Sequence, residues 1–255
     1  MLLIGQGSKR SSWPDKLLGW HAASLNSRGR FAEVGAATLA GAPTPREVLA
    51  GIRSRDIVIV PMLMCDGIFC REALPAALGL ADGARPDGRI LHLCRPIGLH
   101  PLVADLVVQR ATRALKDHAL SPTTTLLLIG HGSTQDPASE IAIAMQAGRI
   151  RASSNFHSVM TAFIDQPPFL RDVLASVQQP LIAVALFGAR GNHVVEDIEK
   201  QFNKRKHSNA IFLGALGEDE DLINIIEIMV IEKLRFEDRR IDVIDQCRSG
   251  TASGS

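Results

Sequence analysis

The sequence is short of the features that mark several large classes of protein. It has no tyrosine, and only nine phenylalanines and two tryptophans in 255 residues. That leaves no platform for stacking bases and no phenol for acid–base work. Charge of one sign is also lacking: 28 basic residues face 27 acidic ones, a formal net charge of +1. A general nucleic-acid or membrane-surface binder normally carries a basic surplus. No apolar run approaches the ~20 residues that a membrane-crossing helix needs. Met1 leads directly into Leu2-Leu3-Ile4 with no basic segment or cleavage site, so no secretory leader is expected. The four cysteines, Cys65, Cys70, Cys94 and Cys247, are too few and too irregular for a disulfide framework. The expectation is a soluble cytoplasmic protein of one large or two small domains.

What the chain does contain is a second copy of itself. Leu2-Leu3-Ile4-Gly5-Gln6-Gly7-Ser8 returns as Leu127-Leu128-Ile129-Gly130-His131-Gly132-Ser133, an offset of 125 residues. The same offset pairs Phe31 with Phe156, Val34 with Val159, Ala37 with Ala162, Pro43 with Pro168 and Arg46 with Arg171. One residue is then lost, and an offset of 124 pairs Gly67 with Gly191, Phe69 with His193 and Glu72 with Glu196. An ordered series in near-constant register indicates duplication and fusion. The expected lobes are residues 1–120 and 125–238, with a charged tail ending in glycine and serine, 239–255, that should be loose.

Within each half, short apolar runs alternate with longer amphipathic stretches. Strands are expected at 2–4, 33–39, 56–62 and 90–94, and again at 126–130, 157–164, 181–187 and 210–213. In the second half helices are expected at 137–150, 169–177, 194–204 and 219–234. Buried runs of this length between helices predict parallel strands covered on both faces. Each half is therefore read as a small doubly wound, flavodoxin-like α/β lobe. In such folds ligands bind beyond the carboxyl ends of the strands. His131 and His193 both follow expected strands and fall on that rim.

The Gly130-His131-Gly132-Ser133 segment is neither of two familiar glycine motifs. A dinucleotide fingerprint needs a glycine where Gln135 stands, and a nucleophile elbow needs G-x-S-x-G. No nucleotide cofactor is expected. The remaining readings are a turn histidine and a working histidine whose small neighbours let a large ligand approach. His193 likewise reads as a helix-start residue or as a functional group. Glu196 and Asp197 follow it at i+3 and i+4, beside it if a helix begins there. Two imidazoles with carboxylates nearby suit a divalent ion such as iron, cobalt or nickel. No cysteine accompanies them, which disfavours a closed structural zinc site. Cys65 and Cys70 admit an iron–sulfur or metal-storage reading, although small buried thiols are the commoner case.

Taken together, the strand followed by H-G-S and Asp136-Pro137, the segment Ala162–Asp165 followed by Pro167 and Pro168, and the stretch 186–198 resemble the CbiX group of class II chelatases. The resemblance spans most of both halves. It implies two chelatase-like α/β lobes, packed as an intramolecular pseudo-dimer, that insert a divalent metal (Co2+, Fe2+ or Ni2+) into sirohydrochlorin or a related tetrapyrrole. The metal is a substrate, and neither nucleic acid nor membrane is a partner. The family's two active-site histidines carry over onto His131 and His193. Asp165 stands where the family usually has glutamate and joins them as a metal-handling group, while Glu196 or Asp165 would orient imidazoles or receive protons onward. Arg190, Arg10 and Lys9 are candidates for the substrate's carboxylates, with Ser8 and Ser133 as hydroxyl donors. The first half departs from the pattern at Gln6, Phe69 and Ala73. These losses read either as decay, with Phe69 packed into its own lobe, or as a platform, the Phe69 ring packing on the flat macrocycle and the Gln6 amide hydrogen-bonding without charge. The competing class is a non-catalytic tetrapyrrole or metal carrier on the same scaffold.

Overall fold

The computed structural model describes residues 1–8, 12–80, 88–121, 123–177, 180–191, 193–204 and 210–250, and gives the backbone alone for His193, Val195, Lys204 and 237–250. The chain is an α/β fold built on two four-stranded, wholly parallel sheets. The first comprises β1 (Leu2–Gly5), β2 (Gly35–Thr38), β3 (Asp56–Pro61) and β4 (Ile90–Leu93), in the order β2-β1-β3-β4. The second repeats that order with β5 (Thr125–Gly130), β6 (Ser158–Phe163), β7 (Leu181–Ala185) and β8 (Ala210–Ala215), as β6-β5-β7-β8. All eight strands lie where the alternation of apolar runs predicts them.

The strand faces explain the layering. Leu3 and, in the other sheet, Leu126 and Leu128 turn to one common core; Leu2 and Ile4, and Leu127 and Ile129, turn outward into separate clusters. This is the two-residue period of a strand buried on both sides. The common core is filled by four helices lying between the sheets: α1 (Trp13–Ser27), α4 (Leu102–Asp117), α5 (Ala138–Ser153) and α8 (Leu222–Gly250). Shorter helices, α2 (Pro45–Gly51) and α3 (Leu74–Leu78) on one side and α6 (Leu170–Ser176) and α7 (Lys200–Lys204) on the other, cover the outer faces. α4 follows the first sheet yet packs on β7, and α8 follows the second yet packs on β3. The two sheets are thus joined through shared helices rather than by a thin hinge.

Two details differ from the sequence reading. The stretch expected as one helix at 194–204 opens with a π-helical turn, His193–Glu199, before α7. Its counterpart in the first half, Phe69–Ala73, is also π-helical. The tail expected to be loose from residue 239 is helical as far as Gly250, because no glycine or proline interrupts the chain between Leu222 and that residue; 251–255 lie outside the described residues. Among the described residues no helix is long and apolar enough to cross a membrane.

Candidate active site

The loops leaving the carboxyl ends of β1, β3, β5, β6 and β7 converge on one cleft of about 1360 Å3. Ordinary small-molecule pockets measure ~300–1,000 Å3. The Gln6 and His131 loops, related by the 125-residue offset, both line this cleft, as do Phe69, Asp165, Glu196 and Asp197.

His131 follows the last residue of β5, and its surroundings fix it closely. Its Nδ1 lies 3.3 Å from an Asp165 carboxylate oxygen and 3.0 Å from the Gly132 carbonyl oxygen. With two acceptors at Nδ1, the neutral ring carries its proton there. The Phe187 ring is tilted against the imidazole, 6.2 Å between centroids. Gly132 takes a φ of +80°, and a Cβ there would come within 2.7 Å of the Gln166 side chain. Glycine is required on both counts. The buried Gln166 amide accepts from the Ser133 N–H at 2.6 Å and donates to Glu140 at 3.0 Å. Ser139 accepts from the Gly132 N–H at 3.2 Å. The Ser133 hydroxyl oxygen accepts the N–H groups of Gln135 and Asp136, each at 3.1 Å. The loop is held from several sides, while the His131 and Asp165 side chains stay 43% and 52% exposed.

The first half repeats the backbone of this arrangement without its chemistry. Ala40 donates to the Gln6 carbonyl at 2.8 Å just as Asp165 donates to that of His131 at 2.9 Å. Gly7, like Gly132, has a positive φ, +72° against +80°. The side chains, however, are an amide and a methyl in place of imidazole and carboxylate. Phe69 opens the π-helical turn of this half and is 38% exposed.

The remaining expected residues separate into three groups. Glu196, Asp197, Ser8 and Ser133 line the cleft, and Glu196 lies 3.8 Å from Lys200. His193 begins the π-helical turn after β7, and its side chain, like Lys9 and Arg10, lies outside the described residues. Arg190 does not join the cleft. Its guanidinium forks onto Glu199 at 2.8 and 2.6 Å and borders a separate hollow with Phe202 and Glu218. The expectation that it meets a carboxylate ligand in the cleft is corrected accordingly: its side chain borders the separate hollow and not the cleft. Among the described residues no three histidine, cysteine or acidic side chains cluster to hold a metal. His131 and Asp165 form a pair.

Three features escaped the sequence reading. Gln166 carries no motif signal, although its place between Asp165 and Pro167 sets it beside the histidine loop. Arg71 of the first half lies 2.7 Å from Asp136 of the second, a contact between residues 65 apart in sequence. His21 is buried at the junction of the halves with Nε2 2.8 Å from the Gly217 carbonyl, and burial pushes its imidazole below the usual histidine range. Cys70 and Cys94 are buried, and burial pushes their thiols up, to about 12 and about 11.

Comparison with known proteins agrees with this architecture. The CbiX family model matches residues 1–114 and 125–233. A probable sirohydrochlorin cobaltochelatase of Halobacterium salinarum is 27% identical over 217 residues, covering 78% of this chain and 74% of that one. A multi-domain protein of Deinococcus radiodurans, described as structurally similar to chelatases with two additional domains, superposes with a TM-score of 0.77 at 22% identity. The match covers 89% of this chain and 53% of that one, so the chain spans about half of that structure. SirB from Bacillus subtilis, solved with Fe3+, superposes with a TM-score of 0.75 at 18% identity, covering 91% and 94% of the two chains. At these identities the structural likeness is a likeness of fold.

Proposed function

The chain belongs to the CbiX family of sirohydrochlorin chelatases, and on that premise we propose that it inserts Co2+, Fe2+ or Ni2+ into sirohydrochlorin or a closely related tetrapyrrole. The observation that carries this reading is the His131–Asp165 pair on the wall of a cleft large enough for a macrocycle. Metallation removes two pyrrole N–H protons while the ion exchanges its water for ring nitrogens. An imidazole whose Nδ1 is engaged by a carboxylate offers Nε2 either to the ion or to a leaving proton, and does so near neutral pH. Asp165 orients that ring. We assign His193 as the second imidazole and Glu196 as the group that passes protons onward toward solvent. Ser8 and Ser133 are proposed as donors to the edge of the macrocycle.

The lobes 1–120 and 125–238 act in this proposal as an intramolecular pseudo-dimer with one competent wall. Gln6 and Phe69 form the opposing platform, and a second pair of metal-handling imidazoles is absent from that side by sequence. The same substitution favours the alternative of a non-catalytic carrier, and turnover separates the two. Purified protein is mixed with sirohydrochlorin and each metal in excess, and the absorbance of the metallated product is followed against the uncatalysed rate. Many equivalents of product per protein support a chelatase; a burst limited to one equivalent supports a carrier.

A further inference from the structure

The cleft is lined by five carboxylate side chains among the described residues, Glu72, Asp136, Asp165, Glu196 and Asp197, and by one lysine or arginine, Arg71. A tetrapyrrole edged with acetates and propionates meets like charge on most of that surface. Arg190, the described guanidinium that the sequence reading expected to receive it, lies outside this cleft and borders a separate hollow, paired with Glu199. From this we infer that Arg71 is the residue that anchors a substrate carboxylate, and that Asp136 holds its place until the substrate arrives. The inference deepens the functional reading above and rests on it.

The geometry of Arg71 suits the task. It lies in the π-helical turn of the half that lacks the histidines, at a position that the duplication aligns with Val195. Its backbone belongs to one half and its partner to the other, so the side chain reaches across the cleft. Nη2 donates to the Asp136 carboxylate at 2.7 Å and Nη1 to the Asp66 carbonyl at 2.6 Å. Those bonds use two of the five N–H donors of a guanidinium and hold its plane in one orientation. The side chain remains 51% exposed, against 23% for Asp136, so an incoming carboxylate can exchange with Asp136 without unburying the cation. Asp136 keeps its other oxygen on the Ala138 N–H at 3.0 Å and can release Arg71 without losing its own place. The half that has lost its imidazoles thereby retains a binding role through charge as well as through Phe69.

Binding of metal-free sirohydrochlorin to the full-length protein, followed by fluorescence quenching, tests this. Arg71→Ala should weaken binding about tenfold, the scale of one lost charge-assisted pair at a half-exposed site, and Arg71→Lys should recover part of it. The same macrocycle with its carboxylates esterified should bind wild type and Arg71→Ala alike. Asp136→Asn keeps the Ala138 bond but frees the guanidinium, and should tighten sirohydrochlorin binding by about threefold, what an exposed ion pair is worth. A clasp between the halves predicts the opposite, with Arg71→Ala and Asp136→Asn weakening binding together and the ester losing as much as the acid. Either that pattern or an Arg71→Ala affinity within twofold of wild type overturns the inference while leaving the chelatase reading standing. A wild-type protein that binds no sirohydrochlorin overturns both.

Discussion

The carboxylate of Asp165 sits 3.3 Å from Nδ1 of His131, and the two residues come from the ends of neighbouring parallel strands, β6 and β5. In the first half the same two positions hold Ala40 and Gln6 on a matching backbone. One duplicated frame therefore carries an imidazole–carboxylate pair on one side and none on the other.

If Asp165 orients the ring, Asp165→Ala should lower kcat for metal insertion about tenfold, the lower end for loss of a group supporting a metal-handling histidine. KM for the tetrapyrrole should move less than about threefold. Initial rates of product absorbance over a range of tetrapyrrole concentrations separate the two parameters. An unchanged kcat would show that the pair is incidental.

If the exposed Phe69 ring on the histidine-free wall packs on the macrocycle, Phe69→Ala should weaken tetrapyrrole binding more than it slows metal transfer from the bound state. Gln6→His combined with Phe69→His should still bind one macrocycle per chain, since both loops line one cleft. Titration with sirohydrochlorin reads both. A stoichiometry of two, or an unaltered Phe69→Ala affinity, removes the platform.

Gln146 of α5 is buried and donates to the Gly98 and His100 carbonyls at 2.7 and 3.0 Å, tying the second half to the start of α4 in the first. Gln146→Ala leaves both carbonyls without that donor and should cost about 2 kcal/mol in urea denaturation. A change of less than ~0.5 kcal/mol would mean that packing alone joins the halves.

Burial favours neutral His21, so its folded value lies below the ordinary 6.5. The unfolded chain then takes up the proton first as pH falls. The stability that His21 contributes is complete above about 6.5 and is lost as pH drops through its folded value. The urea midpoint should fall between roughly pH 7.5 and pH 5.5, less steeply in His21→Gln, where an amide can still donate to Gly217. Parallel pH profiles for the two proteins would contradict this.

Much of the fold was legible because its period was. Leu126 to Ile129 alternate between two cores, and a strand buried on both faces reads as an unbroken apolar run whose ends are set by Thr124-Thr125 and by Gly130. The repeat carried that reading into the first half, where glutamine and phenylalanine stand in for the histidines. The cleft wall bearing His131 and Asp165 was legible as residues, since both fall on strand ends. Pairings over long distances were not. Nothing local distinguishes Arg71, held by Asp136 across the cleft, from Arg190, held by Glu199 nine residues away, because the choice is made by how the two halves pack. The π-helical turn after β7 was hidden for a related reason: its apolar residues Val194 and Ile198 keep the i, i+4 spacing of an ordinary helix.

The central claim is that the histidine wall of this cleft performs catalytic metal insertion, and single-site variants measured in one assay test it most directly. Wild type, His131→Ala and His193→Ala are each incubated with sirohydrochlorin and Co2+, Fe2+ or Ni2+, with circular dichroism confirming the fold, and product absorbance is followed over time. The account predicts multiple turnovers for wild type with at least one metal and rates at the uncatalysed background for both variants. Near-normal turnover in a well-folded His131→Ala or His193→Ala protein, or a wild-type rate no faster than background, would contradict it.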